Sequence, residues 1–204
     1  MSAAELTALL LFCTAMSFSP GPNTTLSTAL AANHGLKRAL GFCFAVPAGW
    51  TLLMLACGLG LGAVVTGAPV LRWAVKLAGA GYMVWLAWKL AGSDRMAQAD
   101  ASKLDVTFLQ GVGMQFLNIK AWMLALTLSA GWVVNAGGRP SANPGQRLAI
   151  ICGVMVVFAF ASNLSYAVLG SLLRHWLAQG SRLRWFNRVL ALVLLATACW
   201  MLAV

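Results

Sequence analysis

The stretch ELTALLLFCTAMSFSPGPNTTLSTALAA, residues 5–32, decides the fold. Its one formal charge is Glu5 at the first position, and a helix rising 1.5 Å per residue over it is long enough for a hydrocarbon core of about 30 Å. It cannot be one uninterrupted helix. Proline removes a backbone donor and clashes with the preceding turn, and Pro20 and Pro22 flank Gly21 in Ser19-Pro20-Gly21-Pro22-Asn23. In lipid, the backbone groups freed by such a break need protein, water or ligand as partners. The stretch therefore predicts a membrane span broken at mid-depth.

Five further apolar runs follow: Leu40 to Val65, Val70 to Leu90, Val106 to Val134, Leu148 to Leu173 and Leu183 to Val204. Little polar sequence is left between them. Of the 204 residues 61% are hydrophobic and 9% charged, too few charges to cover a water-facing surface. These features predict an all-α integral membrane protein of six transmembrane helices. The net charge of +10 does not point to nucleic acid, because the cations sit singly or in pairs between apolar runs, where headgroups and loop polarity account for them. No Lys or Arg precedes Leu6, and the first run leads into the proline break, so a cleaved leader is not expected.

Cations set the orientation. Lys37, Arg38, Lys89, Arg95, Lys103, Arg174, Arg182, Arg184 and Arg188 fall in or beside the odd loops, against Arg72, Lys76, Arg139 and Arg147 for the even ones. The positive-inside rule then places the odd loops in the cytoplasm and both termini outside. The third span opens Leu71-Arg72-Trp73 with Lys76 and Trp88 beyond. The sixth opens Leu183-Arg184-Trp185 with Arg188 and Trp200 at the same spacing, an offset of 112 residues. Two three-helix halves, 1–92 and 106–204, joined by a cytoplasmic linker at 93–105, would be inverted repeats with the substrate site at their interface. That plan asks for a second break, and Asn118-Ile119-Lys120 occupies the corresponding place in the fourth run.

SPGPN in the first span, the glycines of the second, NIKAW in the fourth and the Arg-rich segment before the last resemble the LysE/RhtB superfamily of amino-acid exporters, over essentially the whole chain. The resemblance implies export of amino acids or their derivatives across the bacterial inner membrane by a secondary active transporter, an antiporter driven by the proton-motive force. It implies no cofactor and is compatible with a homo-oligomer. Two positions depart from the family pattern. Ile119 stands where a proline is usual, which should soften the fourth-helix break, and Pro47 and Ala48 stand where many members carry an aspartate.

Lys120 is the most informative residue. It lies about 21 Å of helix beyond Val106, where an ammonium is costly unless it snorkels, pairs or lines an aqueous cavity. A fixed ammonium suits an amino-acid carboxylate. The N–H groups of Asn23, Thr24 and Thr25 after the first break offer a second anion contact, and the carbonyls near Phe18 and Ser19 offer acceptors for the substrate ammonium. Gln115, Asn118, Asn163 and Tyr166 are further polar groups within spans, either lining the path or bonding between helices. Pro47 is expected to bend the second helix. The Gly58–Gly62 and Gly79–Gly81 clusters are expected to allow close packing. The candidate translocation set is thus Ser19, Pro20, Gly21, Pro22, Asn23, Thr24, Gln115, Asn118, Lys120, Asn163 and Tyr166.

The only acids are Glu5, Asp94, Asp100 and Asp105, none of them deep in a span, so neutral rather than basic substrates are expected. Other classes fare worse. A thiol-disulfide carrier would need reactive cysteines in both the first and fourth helices, and Val106 to Val134 has none. A metal exporter would need intramembrane acids, histidines or paired thiols. An enzyme would need a catalytic set that does not occur. A non-transporting membrane scaffold has no use for the broken helix or for Lys120.

Overall fold

The computed structural model describes residues 1–62, 67–92, 106–133 and 141–203, all helix and turn with no strand among them. The helices are α1 (Ala3–Phe18), α2 (Pro22–His34), α3 (Leu36–Gly58), α4 (Pro69–Ala91), α5 (Phe108–Leu117), α6 (Ile119–Leu128), α7 (Pro144–Leu177) and α8 (Arg182–Ala203). A π-helical turn, Ser129–Val133, extends α6. The expected linker at 93–105 lies outside the described residues.

The first apolar run is broken where the prolines require it. α1 and α2 form a pair bent by 50°, and α5 and α6 a second pair bent by 68°. The second bend corrects the expectation that Ile119 softens the break: it is the sharper of the two. Asn118 provides what the missing proline would have. Its backbone is extended (φ −95, ψ 102), and its side-chain Oδ1 accepts a hydrogen bond from the Lys120 N–H, capping α6 as a new helix. Pro47, by contrast, sits inside α3 without ending it.

α3, α7 and α8 are long and apolar enough to cross a membrane, and counting each bent pair as one span brings the number to five. α4 matches α3 in length, at 23 residues, about 35 Å of helix. It falls short in hydropathy because it carries Arg72, Lys76, Lys89, Trp73, Trp85 and Trp88. Two of those cations lie over rings, Lys76 Nζ 5.4 Å from the Trp73 centroid and Lys89 Nζ 4.4 Å from that of Trp85. α7 runs from Pro144, so it begins ahead of the apolar run that opens at Leu148. α2 passes into α3 through Gly35 alone, whose φ of +87 turns the chain in one residue.

The bent pairs are held by the long helices. α2 packs along α7 and α5 along α3, α3 and α7 pack on each other, and α4 packs on α8. Close approach depends on glycine. A Cβ on Gly170 would strike the Thr28 carbonyl of α2, one on Gly79 the Leu117 carbonyl just before the second break, and one on Gly49 would lie 2.5 Å from the Val112 carbonyl. Gly81, in the same cluster as Gly79, faces open space.

Gly79→Val should therefore push α4 off the α5–α6 break at about 1–3 kcal/mol or more, as overpacking does. Thermal unfolding in detergent should show a clearly lower midpoint for this variant, whereas Gly81→Ala should unfold with the parent protein.

Candidate functional site

The two breaks meet. Lys120, the second residue of α6, projects its ammonium to the end of α1, where Nζ donates to the Ser19 carbonyl at 2.8 Å and to Ser19 Oγ at 2.7 Å. The Ser19 hydroxyl in turn donates to the Met16 carbonyl at 2.9 Å. Gly21 permits the approach: a Cβ there would lie 3.2 Å from Lys120 Cδ and 3.3 Å from Nζ. The backbone acceptor exposed by the proline break and the half-buried cation thus satisfy each other.

Several other groups at the break are also paired. The Phe18 carbonyl accepts from Tyr166 Oη at 3.0 Å and the Ser17 carbonyl from Ser162 Oγ at 2.6 Å, both from α7. At the start of α2, the Gly21 N–H donates to Thr24 Oγ1 and the Thr25 N–H to the Gly21 carbonyl. The Thr25 N–H is therefore spent, which corrects its reading as an anion contact. Pro22 occupies the first helical position, where its missing donor costs nothing.

Around this junction the polar side chains pair. Asn23 Nδ2 donates to Gln115 Oε1 at 2.9 Å and Gln115 Nε2 returns to Asn23 Oδ1 at 3.2 Å, an amide pair joining the two bent spans. Gln115 is fully buried, and its second donor goes to the Gly111 carbonyl. It positions Asn23. Asn163 Oδ1 accepts from Ser27 Oγ at 2.9 Å, and its Nδ2 donates to the Ala159 carbonyl.

A small cavity of about 50 Å³ opens here, walled among others by Gly21, Asn23, Thr24, Asn118, Lys120 and Asn163. Of the sequence-predicted residues, these and Pro22 lie on it. Ser19 and Pro20 instead border a second, wider cavity of about 440 Å³ whose far wall is Val193, Ala196, Thr197 and Trp200 of α8. Met16, Gly21, Pro22 and Lys120 are common to both. Gln115 and Tyr166 lie on neither; they are hydrogen-bonded to Asn23 and to the Phe18 carbonyl. Ser17, Trp50 and Met155 of the inner wall and all of the α8 wall were not among the residues expected from the sequence, because an apolar or aromatic residue, or a lone hydroxyl, within a span carries no signal of the side it faces.

At opposite ends of the bundle, polar contacts tie the helices together. Arg147 Nη1 donates to Glu5 Oε1 at 2.9 Å and to the Trp132 carbonyl, and Trp132 Nε1 donates to the Glu5 carbonyl. At the other end Asn33 and Asn187 exchange amide hydrogen bonds of 2.9 and 3.0 Å, beside a small apolar cluster of Ala32, Leu177 and Leu183. The five cysteines are unpaired, four buried and Cys199 exposed. Among the described residues no group of His, Cys, Asp and Glu is placed to hold a metal ion.

Known proteins are similar to the chain over most of its length. The family model described as LysE type translocator matches residues 14–203. The cysteine/O-acetylserine efflux proteins of Escherichia coli (strain K12) and Shigella flexneri serotype 5b (strain 8401) are each 32% identical to the chain over 187 residues, covering 88% of both sequences. That of Escherichia coli O139:H28 is similar to the same degree, 32% over 187 residues. No solved structure matches the chain. With the match spanning both breaks and all the long helices, this multi-pass membrane protein is a transporter rather than an enzyme and belongs to the LysE type translocator family.

Proposed function

We propose that the protein is a secondary active exporter of small neutral amino acids or their close derivatives in the bacterial inner membrane, working as an antiporter driven by the proton-motive force. The observation that carries this reading is the Lys120 ammonium held on the Ser19 carbonyl at the meeting of two helix breaks. A zwitterionic substrate has the two groups that can exchange into this contact. Its carboxylate takes Lys120 Nζ, and its ammonium takes the Ser19 carbonyl that Lys120 releases. Both charges of the substrate are then satisfied with no net change in the charge of the site.

Neutral side chains fit the surroundings. Among the described residues no carboxylate lines either cavity, so a basic side chain would bring a second cation beside Lys120 without a partner. The relatives named for cysteine and O-acetylserine efflux point to the same class, small and uncharged at the side chain. Inverted halves at 1–92 and 106–204 are supported by the paired bends and by the reciprocal packing, in which each bent span lies on the long helix of the other half. Both termini are read as external, from the cation distribution. Glu5–Arg147 and Asn33–Asn187 then stand at the outer and inner ends of the path, contacts to be broken in turn as access alternates.

Two outcomes follow. In proteoliposomes, Lys120→Gln should lower export of cysteine, serine and alanine alike, by at least about tenfold, given the strength of a hydrogen bond to a charged group; unchanged export would remove the main support for the site. Concentrative transport by the parent protein should require an imposed pH gradient and stop on adding a protonophore. Accumulation that persists without the gradient would rule out proton coupling.

A further inference from the structure

Two buried polar groups on the inner cavity have no hydrogen-bond partner in the protein: the Trp50 indole Nε1–H and the Ser17 hydroxyl. Trp50, on α3, is only 3% exposed. Buried donors are almost always satisfied, and leaving one unpaired costs about 1–3 kcal/mol. Around this site every other group of this kind is paired: Asn23 with Gln115, Asn163 with Ser27, Lys120 with Ser19. The exceptions are both on the wall of one cavity. Indole N–H is donor only, whereas hydroxyl donates and accepts.

We infer that Trp50 and Ser17 form the side-chain pocket of the transported amino acid and select a short side chain that ends in a neutral hydrogen-bonding group. The inference rests on the reading of Lys120 as the carboxylate site and adds the chemistry of the other end of the substrate. With the carboxylate at Lys120, on the wall that the two cavities share, and the ammonium at Ser19, on the wider one, the side chain enters the inner cavity. A water needs about 10–15 Å³ of such space, so a cavity of about 50 Å³ has room for a hydroxymethyl or sulfanylmethyl group. The substrate oxygen or sulfur accepts from Trp50 and exchanges a hydrogen bond with Ser17. An aliphatic side chain of the same size leaves both unpaired, the kind of mismatch on which a polar site discriminates strongly.

The test is competition between serine and alanine, which differ by one hydroxyl, for uptake of labelled serine into proteoliposomes holding the full-length protein. Wild type should prefer serine. Trp50→Phe, which removes the donor and keeps an aromatic ring, should cut the serine-to-alanine preference about tenfold through the KM for serine, with the thermal midpoint not lowered, since the indole N–H has no protein partner to lose. Ser17→Ala should shift the preference in the same direction and serves if Trp50→Phe does not fold. A preference unchanged in the folded variants, or a fall in both substrates by one factor together with a lower midpoint, would make Trp50 a packing residue and overturn the inference. Lys120→Gln separates the two readings, because it should depress both substrates equally and leave their ratio alone. Normal transport by that variant would instead defeat the carboxylate site.

Discussion

An ammonium ion within a membrane protein and a backbone carbonyl cut loose by proline are each unfavourable alone. A lysine near the centre of a spanning helix costs about 2.5–3.5 kcal/mol on insertion scales, and a hydrogen bond to a charged group returns about 1.5–3 kcal/mol. Lys120 makes two, to the carbonyl and the hydroxyl of Ser19, enough to offset its burial. The same contact satisfies the acceptor that Pro20 and Pro22 leave open. Much of the architecture serves that junction. Asn118 starts a new helix so that Lys120 points across it, Gly21 leaves room for the side chain, and the Asn23–Gln115 amide pair fixes one bent span against the other.

The remainder of the bundle keeps charge away from this place. Hydrogen bonds between amides and hydroxyls, with no net charge to desolvate, hold α2 to α7 and α8: Ser27 to Asn163, and Asn33 to Asn187. The Glu5–Arg147 ion pair lies at the far end of the bundle, with Glu5 in the first turn of α1. Glycines at Gly49, Gly79 and Gly170 bring helix backbones into contact beside the bent spans, not at random along the apolar surface. Neutral polar pairs and small residues are exchangeable contacts, which suits helices that must move past one another while the site remains intact.

Much of this was legible from residue types whose physics is local. Proline removes a donor wherever it stands, so the first break and its position followed from SPGP. Lysine in an apolar run needs a partner, so Lys120 stood out. Elsewhere the decisive interaction was tertiary. Asn118 capping α6 replaced a proline whose absence suggested a weaker bend. Phe18 and Ser19 were rightly seen as freed carbonyls, but that Tyr166 and Lys120 would take them depends on how α7 and α6 dock. Gln115 allowed both a path and a bracing reading, and only the docking of α5 against α2 shows it buried and paired with Asn23. Trp50, one of nine tryptophans, was indistinguishable in the sequence from an interfacial anchor, because which ring leaves its N–H unpaired is decided only by packing.

The most direct test of the central claim is an experimentally determined structure in a lipid nanodisc with bound serine or cysteine. The substrate carboxylate should lie within hydrogen-bonding distance of Lys120 Nζ and its ammonium on the Ser19 carbonyl, between the two helix breaks. Substrate bound away from that junction, or Lys120 turned toward the headgroups with α1 and α2 joined in one straight helix, would contradict it.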